Sequence, residues 1–193
     1  MLRPRVIPIL ALAAALASPA AGAGQESASP TPCMDTEAAR QLDFWVGTWD
    51  VVSPEDGGRL GENVVERELG GCLVMENWTG ARGSSGKSMN FWDPQRRTWR
   101  QVWVSDRGNV LDYRHGEYRD GAMRFLGITI GEAGDTTAQK LTFHDVAPDT
   151  VRQVFEASTD GGATWETTWV GIYVRRVGTE GGATGGAEGG TGP

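Results

Sequence analysis

The side chains of this sequence that could do chemistry beyond packing are few, and they do not assemble into a catalytic set. Its two histidines, His115 and His144, have no cysteine, acid or second histidine at ligand spacing, and no H-E-x-x-H occurs. His115, between Arg114 and Gly116, reads as solvated, and His144, after Phe143, reads as a turn-edge side chain. One histidine suffices to ligate haem in a small barrel, so haem is the one cofactor weighed; the expectation is no cofactor and no metal. The sequence has no G-x-S-x-G nucleophile elbow and no Cys–His pairing. The glycine-rich turn from Gly83 to Gly86 lacks the strand-to-helix setting of a phosphate loop.

Glu76 stands apart. If its strand presents Val74 and Trp78 to an interior, Glu76 is a carboxylate in a confined site. Burial disfavours its charged form, and such a group either holds a cation or acts as an acid. The competing reading pairs Glu76 with Arg100 or Arg152 across a sheet, because buried charges are normally compensated. An enzyme on this chain would use Glu76 with Arg100 or Gln101; the missing catalytic set argues against one.

Compartment and partners follow from the chain's outer parts and its charge. Arg3 and Arg5, an apolar stretch over 6–17 and small residues around Ala21-Gly22-Ala23 have the form of a cleaved signal peptide, expected over 1–23. The apolar stretch falls short of the roughly 20 residues that span a bilayer, so no membrane span is expected and the protein should be periplasmic or secreted. Residues 24–32 read as a linker, and 178–193, built of Gly, Thr, Ala and Glu, as a disordered tail. That leaves one domain over 33–177. The net charge of −7 excludes the electrostatic footprint of a nucleic-acid binder. Cys33 and Cys72, the only cysteines, are expected to pair in an oxidising compartment. The closed loop of some forty residues would contribute about 3–4 kcal/mol in the chain-entropy model.

The elements that must position these groups are strands. After a short capped helix over 35–42, with Asp35 as its cap, no window carries a helical apolar period. Short β-branched and aromatic runs predict ten strands: 44–52, 63–69, 72–79, 87–92, 98–105, 110–118, 122–130, 140–143, 151–157 and 164–176. Turn residues such as Gly70-Gly71, Asp93-Pro94 and Asp120-Gly121 separate them. Ten strands on short turns make an antiparallel meander, and closure into a barrel removes its edges. An internal repeat fits this: Phe91-x-Asp93 with Thr98-Trp99-Arg100-Gln101-Val102-Trp103 returns as Phe143-x-Asp145 with Thr150-Val151-Arg152-Gln153-Val154-Phe155. Strand alternation puts Trp99, Gln101 and Trp103 on one face and Arg100, Val102 and Val104 on the other; Gln153 and Phe155 share a face in the second copy. The aromatic face with its glutamines is expected to line the interior.

The stretch Leu42-Asp43-Phe44-Trp45-Val46-Gly47-Thr48-Trp49-Asp50-Val51 resembles the start of a bacterial exported family of unknown function with a lipocalin-like (calycin) barrel, of F-D-F-W-x-G-x-W type. Further matches follow in order: Gly71-Cys72 with Glu76-Asn77-Trp78, Gly86-Lys87-Ser88-Met89-Asn90, Trp99-Arg100-Gln101-Val102-Trp103 and Gly171-x-Tyr173-x-Arg175. Gln41-Leu42 and Gly47-Thr48 stand where many members carry Phe and an acid. The resemblance implies an up-and-down barrel whose Gly47-Thr48-Trp49 acts as the lipocalin G-x-W, with Arg175 of the last strand over Trp49 closing one end. Ser158-Thr159-Asp160-Gly161-Gly162-Ala163-Thr164-Trp165 also looks like an Asp-box, here a single hairpin stabiliser.

The functional expectation is an exported protein that binds a small hydrophobic or amphipathic ligand inside the barrel, through Glu76, Trp78, Trp99, Gln101, Trp103, Gln153 and Phe155. Eight tryptophans in 193 residues supply apolar area together with a polar N–H, both useful in a cavity. The alternatives are the Glu76 enzyme and a ligand-free structural or partner-binding module whose tryptophans simply fill the barrel.

Overall fold

Alternating apolar and polar residues on short turns close on themselves in this protein. The computed structural model describes residues 33–176, so the expected signal peptide, linker and tail lie outside the described residues. The strands are β1 (Gly47–Val52), β2 (Arg59–Glu68), β3 (Leu73–Gly80), β4 (Ser85–Asp93), β5 (Thr98–Ser105), β6 (Val110–Arg119), β7 (Ala122–Ile130), β8 (Thr136–Ala147), β9 (Thr150–Ser158) and β10 (Glu166–Arg175). Each pairs antiparallel with its neighbours in sequence, and β1 pairs with β10, Trp49 opposite Arg175 and Val51 opposite Tyr173, closing a ten-stranded barrel. The expected all-β up-and-down barrel is the observed fold.

The aromatic face with its glutamines points inward. Trp99, Gln101, Tyr113, Phe125, Phe143, Val151, Gln153 and Tyr173 are buried. Arg100 lies on the outer wall, where its guanidinium donates to both Asp112 carboxylate oxygens at 3.1 and 3.0 Å. His144 sits within β8 opposite Arg152, well inside the strand, because β8 extends beyond the expected 140–143 at both ends.

Because the strands alternate in direction, the β2–β3, β4–β5, β6–β7 and β8–β9 turns share the end at which β1 begins. Both copies of the internal repeat turn there. The segment before β1 plugs this end. Helix α1 (Glu37–Arg40) is capped by Thr36, whose hydroxyl accepts from the Ala39 N–H, and Asp35 is not the cap. Thr36 has the extended backbone (φ −107°, ψ 132°) that aims a cap side chain at the first free N–H groups. The chain then leaves the helix early and makes a 3-10 turn over Asp43–Trp45, where strand was expected. That turn drives Leu42 and Trp45 into the barrel, both fully buried, with Trp45 4.4 Å from Phe143 between ring centroids.

Several ties hold the plug. The Arg175 guanidinium lies 4.0 Å from the Trp49 ring centroid and donates to the Val46, Phe44 and Pro148 carbonyls. Gly47 permits this approach: a Cβ there would meet Arg175 Nη1 at 2.1 Å. The Trp49 indole N–H donates to the Trp45 carbonyl, and that of Trp99 to the Ala38 carbonyl and Gln41 Oε1. Arg67 donates to the Ala39 and Gly71 carbonyls and to Asp43. A Cys33–Cys72 disulfide fastens the start of the segment to the turn before β3. Among the described residues, no helix is long and apolar enough to cross a membrane.

Candidate functional site

The opposite end carries no such plug. Between the β1–β2, β3–β4, β5–β6, β7–β8 and β9–β10 turns lies a cavity of about 160 Å³. Its floor is polar and buried, with Glu76 from β3, Gln101 from β5, Tyr113 from β6, Gln153 from β9 and Tyr173 from β10. Its rim is aromatic and half-buried, with Trp78, Trp103, Phe155 and Trp169 joined by Leu111. Trp78 and Trp169 stand edge to face, 6.4 Å between centroids at 88°, and Phe155 packs on Trp169 at 5.5 Å.

Strand register assembles the floor. Glu76 faces Ser88 across β3–β4, and Asn90 faces Gln101 across β4–β5. The Glu76 carboxyl accepts from Asn63 Nδ2 at 2.7 Å and from the Ser88 hydroxyl at 2.6 Å. Asn90 donates its amide to Ser88 Oγ at 2.9 Å, and its carbonyl accepts from Gln101 Nε2 at 2.7 Å. The Tyr173 hydroxyl donates to Gln153 Oε1. With their NH₂ and carbonyl so committed, Gln101 retains a carbonyl and Gln153 an NH₂ for the cavity.

Among the described residues Glu76 therefore has no cationic partner; the donors to it, Asn63 and Ser88, are neutral. Burial pushes its pKa up to about 7, and the hydrogen bonds from Ser88 and Asn63 oppose that rise without cancelling it. Burial also raises the Tyr173 pKa, with the Glu76 charge adding to the effect. Tyr113 is 1% exposed, and its hydroxyl has no hydrogen-bond partner among the described residues. Such buried orphans are uncommon in native proteins, and this one belongs to a residue of the cavity lining.

Six of the seven residues expected to bind a ligand, Glu76, Trp78, Gln101, Trp103, Gln153 and Phe155, meet around this cavity. Trp99 does not: it is 2% exposed at the plugged end, one turn of the sheet away, with its indole N–H bonded to the plug. Arg100 is excluded by strand alternation, so neither the Glu76–Arg100 enzyme pairing nor the cross-sheet ion pair forms. Arg152, on the outer wall opposite His144, does not meet Glu76 either. Burial lowers the His144 pKa, and nearby Arg152 and Arg124 lower it further. Among the described residues, no three His, Cys, Asp or Glu side chains are grouped to hold a metal ion.

Sequence reasoning missed Asn63, Ser88, Asn90, Tyr113 and Trp169 as parts of the site. It also missed the glycines that seat the indoles. A Cβ on Gly61 would meet the Trp78 ring at 2.7 Å, one on Gly86 the Trp103 ring at 2.3 Å, and one on Gly171 the Trp169 ring at 2.2 Å. Each rim tryptophan lies across bare backbone. The signal was present, since glycine inside a strand pattern marks close approach by another group.

Neither a protein-family model nor a curated protein sequence matches the chain.

Proposed function

We propose that this protein is an exported binding protein that holds a small, partly apolar molecule in the unplugged end of its barrel. The observation that carries the reading is the cavity itself, an unfilled space with an aromatic rim and a polar floor that includes the buried Glu76 carboxyl and Tyr113, whose hydroxyl is unpartnered among the described residues. A barrel filled only for stability would place apolar side chains there, or pair the hydroxyl. At about 160 Å³, the space is close to the roughly 150 Å³ that admits benzene and below the roughly 300–1,000 Å³ of drug-sized pockets. The ligand is therefore a single ring or a compact branched group.

Export is supported by the disulfide, which persists in oxidising compartments, and by the form of residues 1–23. The closed antiparallel barrel is compatible with the calycin-like fold of the exported family that the sequence resembles. An enzymatic reading retains Glu76 and Gln101 with, among the described residues, no cation beside them, and the hydroxyl that Glu76 holds, that of Ser88, is buried and outside the cavity lining.

Native mass spectrometry of protein purified from the cell envelope or medium of its own source tests the proposal. A bound small-molecule mass is expected, and it should vanish in Tyr113→Leu combined with Trp103→Ala. Bare protein by that measurement, together with no thermal stabilisation by any ring-sized compound, would remove the binding reading and leave a structural module.

A further inference from the structure

The ionisable groups around the cavity are of one sign. Glu76 is its acid, and among the described residues no Lys, Arg or His lines it. That imbalance is local: Arg67 is engaged on Asp43, Arg100 on Asp112, and Arg176 on Asp50 and Glu62, all away from the cavity. Buried acids are normally compensated by a cation, and Glu76, 3% exposed, has only Asn63 and Ser88 as hydrogen-bond donors. Above it stand three indoles and a phenyl ring. Aromatic faces carry negative electrostatic potential, indole most strongly, and near-perpendicular walls such as Trp78 and Trp169 surround a compact cation from two sides.

We infer that the guest is a small organic cation, a quaternary or tertiary ammonium, seated among Trp78, Trp103, Phe155 and Trp169 with Glu76 as its counter-ion. This rests on the ligand-binding reading above. The aromatic walls suit an alkylated ammonium better than a bare one, because methyl groups spread the charge and are cheaply desolvated. The chain's net charge of −7 steers cations toward it and disfavours carboxylate or phosphate guests.

Isothermal titration of the purified protein with matched probes tests the inference at about pH 8, where Glu76 is ionised. The probes are choline, tetramethylammonium, the neutral choline isostere 3,3-dimethylbutan-1-ol, isobutyrate and toluene. Choline should bind roughly ten-fold or more tightly than the neutral alcohol, and isobutyrate should not bind. Glu76→Gln should erase most of the preference for choline while leaving alcohol binding in place, which also shows that the variant is folded. If the alcohol or toluene binds as tightly as choline, or if Glu76→Gln leaves the preference intact, the cation inference fails and the binding proposal survives. Should none of the five probes bind, the cation inference fails, and the native mass measurement alone decides the binding proposal.

Discussion

At the plugged end of the barrel, Trp45, Trp49 and Trp99 are at most 2% exposed. At the other end, Trp78, Trp103 and Trp169 are only half-buried and surround open space. The residue type is the same, and what differs is the material opposite it. The segment before β1 brings to the closed end a helix, a 3-10 turn and a set of free carbonyls, which take the indole N–H of Trp49 and Trp99 and the fork of Arg175. The other end has short turns and no crossing segment: their large side chains Arg82, Arg107 and Glu132 are exposed, and Trp165 is held outside by Lys140 and the Gly162 carbonyl. Stability is thereby concentrated at one end, which leaves the other free to keep a cavity.

The comparison breaks most directly at Trp45. Trp45→Ala should destabilise the protein by about 3–5 kcal/mol, the range for deleting a fully buried large aromatic side chain. Urea denaturation followed by circular dichroism would measure it. A loss below about 1 kcal/mol would mean that the plug is an ornament on a self-sufficient barrel. Next comes the disulfide. It joins Cys33 and Cys72 across a sequence separation of 39, and replacing both by serine should lower stability by about 3–4 kcal/mol in the same assay. Choline or toluene binding at the far end should survive under native conditions.

How these two ends could be read from the sequence differs as well. The strands were legible because their alternation is local, and the inward direction of Trp99, Gln101 and Trp103 follows once one strand is placed. The closed end was partly legible, through Gly47-x-Trp49 and Arg175, but the apolar run Phe44-Trp45-Val46 reads as strand and folds as a plug. Local propensity cannot register that the barrel has an end to fill. The cavity floor was least legible. Glu76 stood out as a lone acid between apolar neighbours, whereas Asn63, Ser88 and Asn90 join it only through the pairing of β2, β3 and β4. Nothing within one strand fixes that pairing.

Glu76 also makes the open end pH-sensitive. Its folded pKa of about 7 lies above the ordinary value of 4.5, so between those values the folded state holds a proton that the unfolded state has released. Stability from this group is full below about pH 4.5, falls as pH rises, and levels off above about pH 7, a loss of about 3 kcal/mol. His144 works in the opposite direction, since its folded pKa is lowered and its contribution grows as pH rises toward 6.5. The informative quantity is therefore the difference between the protein and Glu76→Gln, in which His144 cancels. Glutamine keeps one carbonyl acceptor, and the unpartnered Asn63 Oδ1 can take its NH₂ after an amide rotation. Denaturation at pH 5 and pH 8 should show the variant gaining on the parent at the higher pH. A constant difference would place Glu76 in contact with water.

The smallest expected effect sharpens the comparison furthest. Trp103 has the bulk of Trp45, yet it lies across Gly86 at the rim with one face toward the cavity. Trp103→Ala removes contacts on one side only and leaves no enclosed void, because the space it vacates joins a cavity already open at the mouth. Without the cavity term that makes core deletions severe, the loss should stay under about 1 kcal/mol. Side by side in one denaturation series, Trp45→Ala and Trp103→Ala hold residue type and substitution constant and vary only the end of the barrel. A loss at Trp103 matching that at Trp45 would mean that the rim indoles are core, and that the space between them closes in solution. A small loss accompanied by weaker choline binding would mean that the rim is maintained for its guest at little benefit to the fold.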